Sequence, residues 1–324
     1  MYFHPATHNP VFGSIEADRP LLSRRGFITK TALAAAAAAL GTTAWQNCFA
    51  ADRRPQPIVV FSKIFQSLKL SFSEAAALAA EAGLDGVDCP VRPGGEVLPE
   101  RVADDLPAYV EALRKNKLGL PLIATAITGP DSPHTETILR TAKKVGVQRY
   151  RLGFVYHQKD VPPEKLLRET RAKFKDLAAL NREIGIGADF ENHSGGPYVG
   201  GDLEELRQLV TDFKPAEIGI AFDIAHALIV HGDNWKPYTE KLKDYLQVTY
   251  IKDVSRAGKW VPLGEGRVKE SGYFQFLKQI GYRAPISLHV EYNWAPKGQA
   301  ETREGLVKAL AENVRVLKDV LNAV

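Results

Sequence analysis

"REIGIGADFENHSGG", Arg182 to Gly196, holds the pattern that decides the fold. The helix-patterned segment "LRETRAKFKDLAALNREIG" stops at Gly185, because a glycine just past the last turn accepts the left-handed conformation that ends a helix. The apolar run "IGIG" then reads as a buried strand. That strand ends in Glu191, Asn192 and His193, three hydrogen-bonding side chains whose burial costs stability unless something uses them.

The same order recurs on both sides of this stretch. Short apolar runs stand at "PIVVFSKI", "LDGVDCPV", "LGLPLIATAI", "VQRYRLGF", "EIGIAFDIA", "LQVTYIKD" and "PISLHVEY". Helix patterns such as "SEAAALAAEAG", "LPAYVEALRKNK" and "AENVRVLKDVL" separate them, and Gly83, Gly146 and Gly281 stand where further helices should stop. Asp202 opens the helix "GDLEELRQL", and Glu205 stands where a capping box places its acid. Eight strand candidates, each followed by a helix, within roughly 270 residues predict an α/β chain with a single (β/α)8 TIM barrel over residues 51–324. An open doubly wound sheet is the alternative. It expects a glycine-rich turn after the first strand, where "FSKIFQSLKLSF" stands instead.

Residues 1–50 read differently. Arg24 and Arg25 in "LLSRRGFITK" precede the alanine-rich stretch "TALAAAAAALGTTAW" and the small-residue exit "CFAAD". This order matches an export signal of the twin-arginine type, cut after Ala50, with a periplasmic destination. A stable membrane anchor is not expected, because the apolar stretch falls short of the ~18 residues a span needs. The mature chain keeps one cysteine, Cys89, and so has no internal disulfide. Four of the 42 basic and two of the 38 acidic residues lie in the leader, leaving 38 against 36, a net of +2. That balance supplies no field to attract nucleic acid or anionic lipid, so a small, near-neutral partner is expected.

A barrel of this kind builds its active site at the carboxyl ends of its strands. Lys63 follows strand one, Asp88 and Arg92 follow strand two, and strand four carries Arg151 towards Tyr156 and His157. Strand five ends in Glu191 and His193, and strand six in Asp223 with His226 after it. Strand seven ends in Tyr250, Lys252 and Asp253, and strand eight offers His289 and Glu291. Asp88 and Asp253 serve equally well as helix caps, Arg151 as a rim ion-pair partner, and His157 and His231 as surface loop residues. His289 and Glu291 alternate onto one face, so both should face the axis or neither should. Carboxylates and imidazoles so placed suit a divalent cation such as Mn²⁺, Mg²⁺, Co²⁺ or Zn²⁺. Two carboxylates flanking a substrate carbon could also move protons on and off it.

Together "GLDGVDCPVRPGG", "FENHSGG", "FDIAHA", "YIKD", "LGEG" and "PISLHVEY" resemble the xylose isomerase-like barrel superfamily of sugar phosphate isomerases and epimerases. The resemblance implies a small-molecule carbohydrate substrate and a metal held by Glu, Asp, His and Glu on strands five to eight, with the two glutamates exchanging the proton. Carried over, Glu191 takes the first position, Asp223 the second, His226 a substrate contact and Arg256 the substrate-binding arginine. The pattern departs at strand seven, where Tyr250 stands for the expected histidine, and at strand eight, where His289 or Glu291 matches the glutamate. Either His289 supplies the missing imidazole beside a Glu291 carboxylate, or the metal is lost and Lys63, Arg92 or Lys252 stabilises the oxyanion. His193 completes the expected substrate contacts.

The resulting expectation is a carbohydrate isomerase or epimerase with Glu191 and Glu291 as catalytic pair. A 3-keto-glycoside lyase or hydratase of the same fold, and a non-catalytic sugar-binding barrel, are the alternatives. An abasic-site endonuclease of the superfamily is set aside, because "VDCPVR" and "ATAIT" supply no histidine on the early strands.

Overall fold

The computed structural model describes residues 56–324, so the expected export signal lies outside the described residues. All eight apolar runs form parallel strands: β1 (Ile58–Phe61), β2 (Gly86–Val91), β3 (Gly119–Thr125), β4 (Arg149–Arg151), β5 (Gly187–Glu191), β6 (Ile218–Asp223) and β7 (Leu246–Ile251), then β10 (Ile286–Leu288). A two-stranded antiparallel hairpin, β8 (Asp253–Val254) and β9 (Trp260–Val261), stands between the last two. β1 pairs with β2 on one side and β10 on the other, which closes the barrel. The expected (β/α)8 architecture is therefore the fold.

The helices are α1 (Phe72–Glu81), α2 (Val102–Lys115), α3 (Thr135–Val145), α4 (Pro163–Ile184), α5 (Leu203–Val210), α6 (Ile224–His231), α7 (Trp235–Glu240), α8 (Tyr273–Gln279) and α9 (Arg303–Ala323). Each of the longer ones buries a single stripe; α4 buries Leu166, Leu167, Thr170, Phe174, Leu177, Ala178 and Asn181 at helical spacing. Gly146 and Gly185 end α3 and α4 at φ 100° and 77°, as their places in the sequence require. The capping box expected at α5 is half right. Asp202 accepts from the Glu204 amide, whereas Glu205 reaches past the cap to the Gly200 amide and to His157.

Burial has two layers. Most apolar side chains pack between strands and helices, and a small inner cluster of Val59, Leu122, Ala221, Val248 and Tyr250 fills the barrel interior. Period-2 alternation places charge on that inner side as well. Arg149 and Arg151 on β4 meet Asp189 and Glu191 on the neighbouring β5, stacking two ion pairs along the barrel. The lower pair is a two-point contact, with Arg149 Nε and Nη2 donating to Asp189 at 2.8 and 2.6 Å. The upper pair reaches the rim where the site lies.

Asp253 explains the motif "LGEG". It is not the helix cap that strand-end position permits. Its carboxylate accepts from the backbone amides of Val254, Gly264, Gly266 and Val268 at 2.9 to 3.0 Å, holding the loop after the hairpin. Gly266 lies so close to this carboxylate that a Cβ would overlap it, which is why that position is glycine.

Candidate active site

The three polar residues that end β5 do three different things. Glu191 is buried and pairs with the guanidinium of Arg151 at 3.2 Å. Asn192 ties the tops of two strands together, donating to the Asp223 carbonyl at 2.9 Å and accepting from the Asp223 amide at 2.7 Å. That continues the ladder between β5 and β6 by one side-chain rung. His193 packs its ring, tilted, 3.9 Å from that of His226 and 4.2 Å from that of Tyr198.

Burial pushes the Glu191 carboxyl up to about 7; Arg151 and Lys252 oppose the rise, and Asp223 and Glu291 add to it. A carboxyl balanced near neutrality can both take and return a proton. Arg151 is itself buried, donates to the Leu152 carbonyl at 3.2 Å and lies 4.5 Å from the centre of the Phe154 ring.

Lys252, one residue past β7, sits at the centre of the remaining groups. Its ammonium lies 3.1 Å from Asp223 Oδ2, 3.3 Å from Glu291 Oε1 and 2.8 Å from His226 Nε2, with the Trp260 ring centre at 4.7 Å. Its side chain is 2% exposed. Burial alone would lower its pKa, but Asp223, Glu291 and Glu191 outweigh it, and the ammonium is held above the ordinary lysine value. A charged lysine only donates, so His226 Nε2 accepts and its Nδ1–H donates to Ser194 Oγ at 2.6 Å. Burial, with Lys252 beside it, keeps His226 neutral. Asp223 serves two partners: Oδ1 accepts the His226 amide at the start of α6, and Oδ2 faces Lys252.

A second buried group lies beside the first. Asp88 accepts from Ser287 at 3.1 Å and lies 4.0 Å from His289 Nε2, and the His289 ring packs between Phe61 and Tyr250. Burial raises Asp88 to about 7, against the pull of Arg151, and holds His289 well below the usual imidazole range. Asp88 Oδ1, the Tyr250 hydroxyl and His289 Nε2 have no hydrogen-bond partner within the described chain, nor has Asp223 Oδ2, which meets Lys252 as an ion pair only. Next to this group opens a cavity of about 410 Å³, lined among others by Phe61, Lys63, Trp260, His289, Glu291 and Trp294.

The chain that forms this closed parallel barrel, with buried acids, imidazoles and cations at the carboxyl ends of its strands, matches a family model in sequence. The model of the xylose isomerase-like TIM barrel covers residues 76–319. The chain belongs to this family. Among solved structures, the D-psicose 3-epimerase of Clostridium cellulolyticum H10, determined with D-tagatose, superposes with a TM-score of 0.64 at 12% identity, over 82% of this chain and 99% of that one. The 3-keto-D-glucoside 4-epimerase of E. coli superposes with a TM-score of 0.61 at 14% identity, over 82% and 99%. The IolI protein, solved with a bound zinc atom, gives 0.63 at 15% identity, over 82% and 98%. At such identities these likenesses show the fold alone. No curated protein matches the chain in sequence.

Within the family frame, the expected site residues separate. Glu191, Asp223, His226, Lys252 and Glu291 come together, with the His193 ring packed against His226. Lys63 is exposed at the start of a 3-10 turn and lines the cavity, and Arg92 is partly buried over the Phe61 ring at 5.5 Å. His289 departs from its expected place as a metal ligand beside Glu291. It is buried against Asp88, whereas the Glu291 side chain is 36% exposed, because β10 stops at Leu288 and the chain beyond no longer alternates as a strand. Arg256 departs as well: it stands exposed in the hairpin turn, and Trp260 from the returning strand is the residue that packs on Lys252 and His226. Asp88 caps no helix, and His157 is held by Glu205 at 3.0 Å. Arg151 takes the rim ion-pair role that was open to it, with Glu191 as partner, whereas Ser194 and Trp260 were not singled out. For Arg151 a signal existed, since the alternating arginines of "RYR" answer the alternating acids of "DFE" one strand on.

The divalent cation expected from the resemblance has a donor group to be tested against. Among the described residues, Glu191, His193 and His226 bring one possible ligand atom each within 4.8 Å of one another. A carboxylate with two imidazoles suits Zn²⁺ or a similar ion in donor type. The His226 lone pair is not free as arranged. Both nitrogens of His226 are engaged, by Ser194 and by an ammonium that also covers Asp223 and Glu291.

Proposed function

We propose that the protein is a carbohydrate isomerase or epimerase that removes a proton from the carbon beside a sugar carbonyl. The observation that carries this reading is the Glu191 carboxyl, buried at the rim, balanced near pH 7, and electrostatically coupled to both Lys252 and Glu291. In the first step the ionised Glu191 takes the proton from the substrate carbon, and the electron pair moves onto the carbonyl oxygen. Cations beside that oxygen favour the enediolate where charge develops. Return of the proton to the other face, or to the neighbouring carbon, completes an epimerisation or isomerisation. The orphaned polar atoms at Asp88, Tyr250 and His289 mark the adjoining wall as one with unused hydrogen-bonding capacity. Export through the twin-arginine-type leader belongs to the same reading and would bring the site to unphosphorylated sugars.

A second outcome of the same first step, loss of the group β to the carbonyl of a 3-keto-glycoside, is favoured by one observation. The cavity beside Glu291 is walled by Phe61, Trp260 and Trp294, apolar surfaces that suit a group beyond a single sugar ring. Incubation of the purified protein in D₂O with free ketoses and with 3-keto-glucosides tests both. Deuterium incorporation with a new epimer supports the first reading, and release of aglycone without epimerisation replaces it with the second. Glu191→Gln should lower turnover by about 10²–10⁴ while sparing ligand binding. Binding without any exchange of substrate protons would leave only a sugar-binding barrel.

A further inference from the structure

We propose that the ammonium of Lys252 occupies the position of a divalent cation and that the site works without a metal. The geometric part of this claim stands alone; the catalytic part rests on the proposed sugar-carbonyl chemistry.

A metal at the rim of such a site gathers carboxylates and an imidazole around one positive centre. Here Asp223 Oδ2, Glu291 Oε1 and His226 Nε2 already surround one positive centre, at 3.1, 3.3 and 2.8 Å, and that centre is Lys252 Nζ. These are hydrogen-bond distances for N–H donors, longer than the ~2.0–2.6 Å of metal–ligand bonds. The ammonium donates to His226 Nε2 and Glu291 Oε1 and is ion-paired with Asp223 Oδ2, so its charge is answered by the chain itself. The remaining valence of His226 is spent on Ser194, which leaves no His226 lone pair free for a metal unless the lysine withdraws.

The sequence change and the structural one coincide. Tyr250 takes the place where the resemblance expects the strand-seven histidine, and its ring is buried against His289 instead of reaching the acids. Two residues later on the same strand direction, Lys252 delivers a charge to those acids. Trp260 closes over the ammonium at 4.7 Å and excludes water from it. A divalent ion placed among Glu191, His193 and His226 would stand against this buried ammonium and against Arg151, two like charges. In turnover, one Lys252 N–H would leave Glu291 or His226 and donate to the substrate oxygen that receives the electron pair.

Elemental analysis of the purified protein, with Mn²⁺, Co²⁺ and Zn²⁺ titrations followed by calorimetry and thermal unfolding, tests the assignment. The wild type should carry no stoichiometric metal, and neither EDTA nor the three cations should move its Tm. Lys252→Met frees Asp223, Glu291 and the His226 Nε2 lone pair, and should gain Zn²⁺ binding with a rise in Tm at saturating ion. Adding His226→Ala should abolish that gain. One equivalent of metal in the wild type, lost in His226→Ala, would overturn the proposal, as would a folded Lys252→Met protein with no new affinity. If Lys252→Met does not fold, the wild-type metal content alone decides. Failure to turn over ketoses or 3-keto-glucosides, with the metal results as expected, counts against the functional reading and leaves the cation assignment standing.

Discussion

Glu191→Gln separates the ionisation of one buried carboxyl from everything else in the barrel. In the folded protein that carboxyl is raised from 4.5 to about 7, chiefly by burial. At about 1.4 kcal/mol per tenfold, the rise corresponds to about 3 kcal/mol of ionisation free energy. The sign follows from linkage. Below pH 4.5 both folded and unfolded chains hold the proton, and the contribution to stability is fully present. Between 4.5 and 7 the unfolded chain releases it first, so stability falls as pH rises through the folded value and levels off above it. Glutamine cannot ionise, so the variant lacks this fall. Urea unfolding followed by tryptophan fluorescence, at pH 4.5 and pH 8, should show the stability gap between variant and wild type moving by about 3 kcal/mol in the variant's favour at the higher pH. The Arg151 ion pair forms only with ionised Glu191 and is already contained in that raised value, so it adds no further pH dependence. The same group should give kcat/KM an acid limb that rises to a plateau above pH 7. A stability gap that stays constant across the pH range would refute the burial of an ionisable Glu191, and with it the proton-transfer role.

Two further substitutions test the supports of the site. Asp253→Ala removes the acceptor of four backbone amides and should cost at least about 3 kcal/mol in urea unfolding, since each bond to a charged group is worth about 1.5–3 kcal/mol; a smaller loss would mean that the loop over residues 263–268 is held by other contacts. Asp202→Ala removes the α5 cap and should cost about 1 kcal/mol with kcat unchanged. An unchanged urea midpoint would show the cap to be without energetic weight.

The sequence by itself determined the barrel, its eight strands and the end of the barrel at which the acids gather. It did so because strand alternation, helix periodicity and glycine stops are local properties, written within ten or twenty residues of one another. Glu191, Asp223 and Glu291 were legible for the same reason, as acids at the ends of apolar runs. What only the tertiary structure decided is which charge meets which. Lys252 and His226 lie 26 positions apart, and Lys252 and Glu291 lie 39 apart. Whether an ammonium or an open set of lone pairs stands between them depends on side-chain reach across the barrel mouth. The fates of His289 and Arg256 turned on where a strand stops and how a hairpin folds back. Pairing between distant residues is set by the closure of the cylinder, and no period along the chain encodes it.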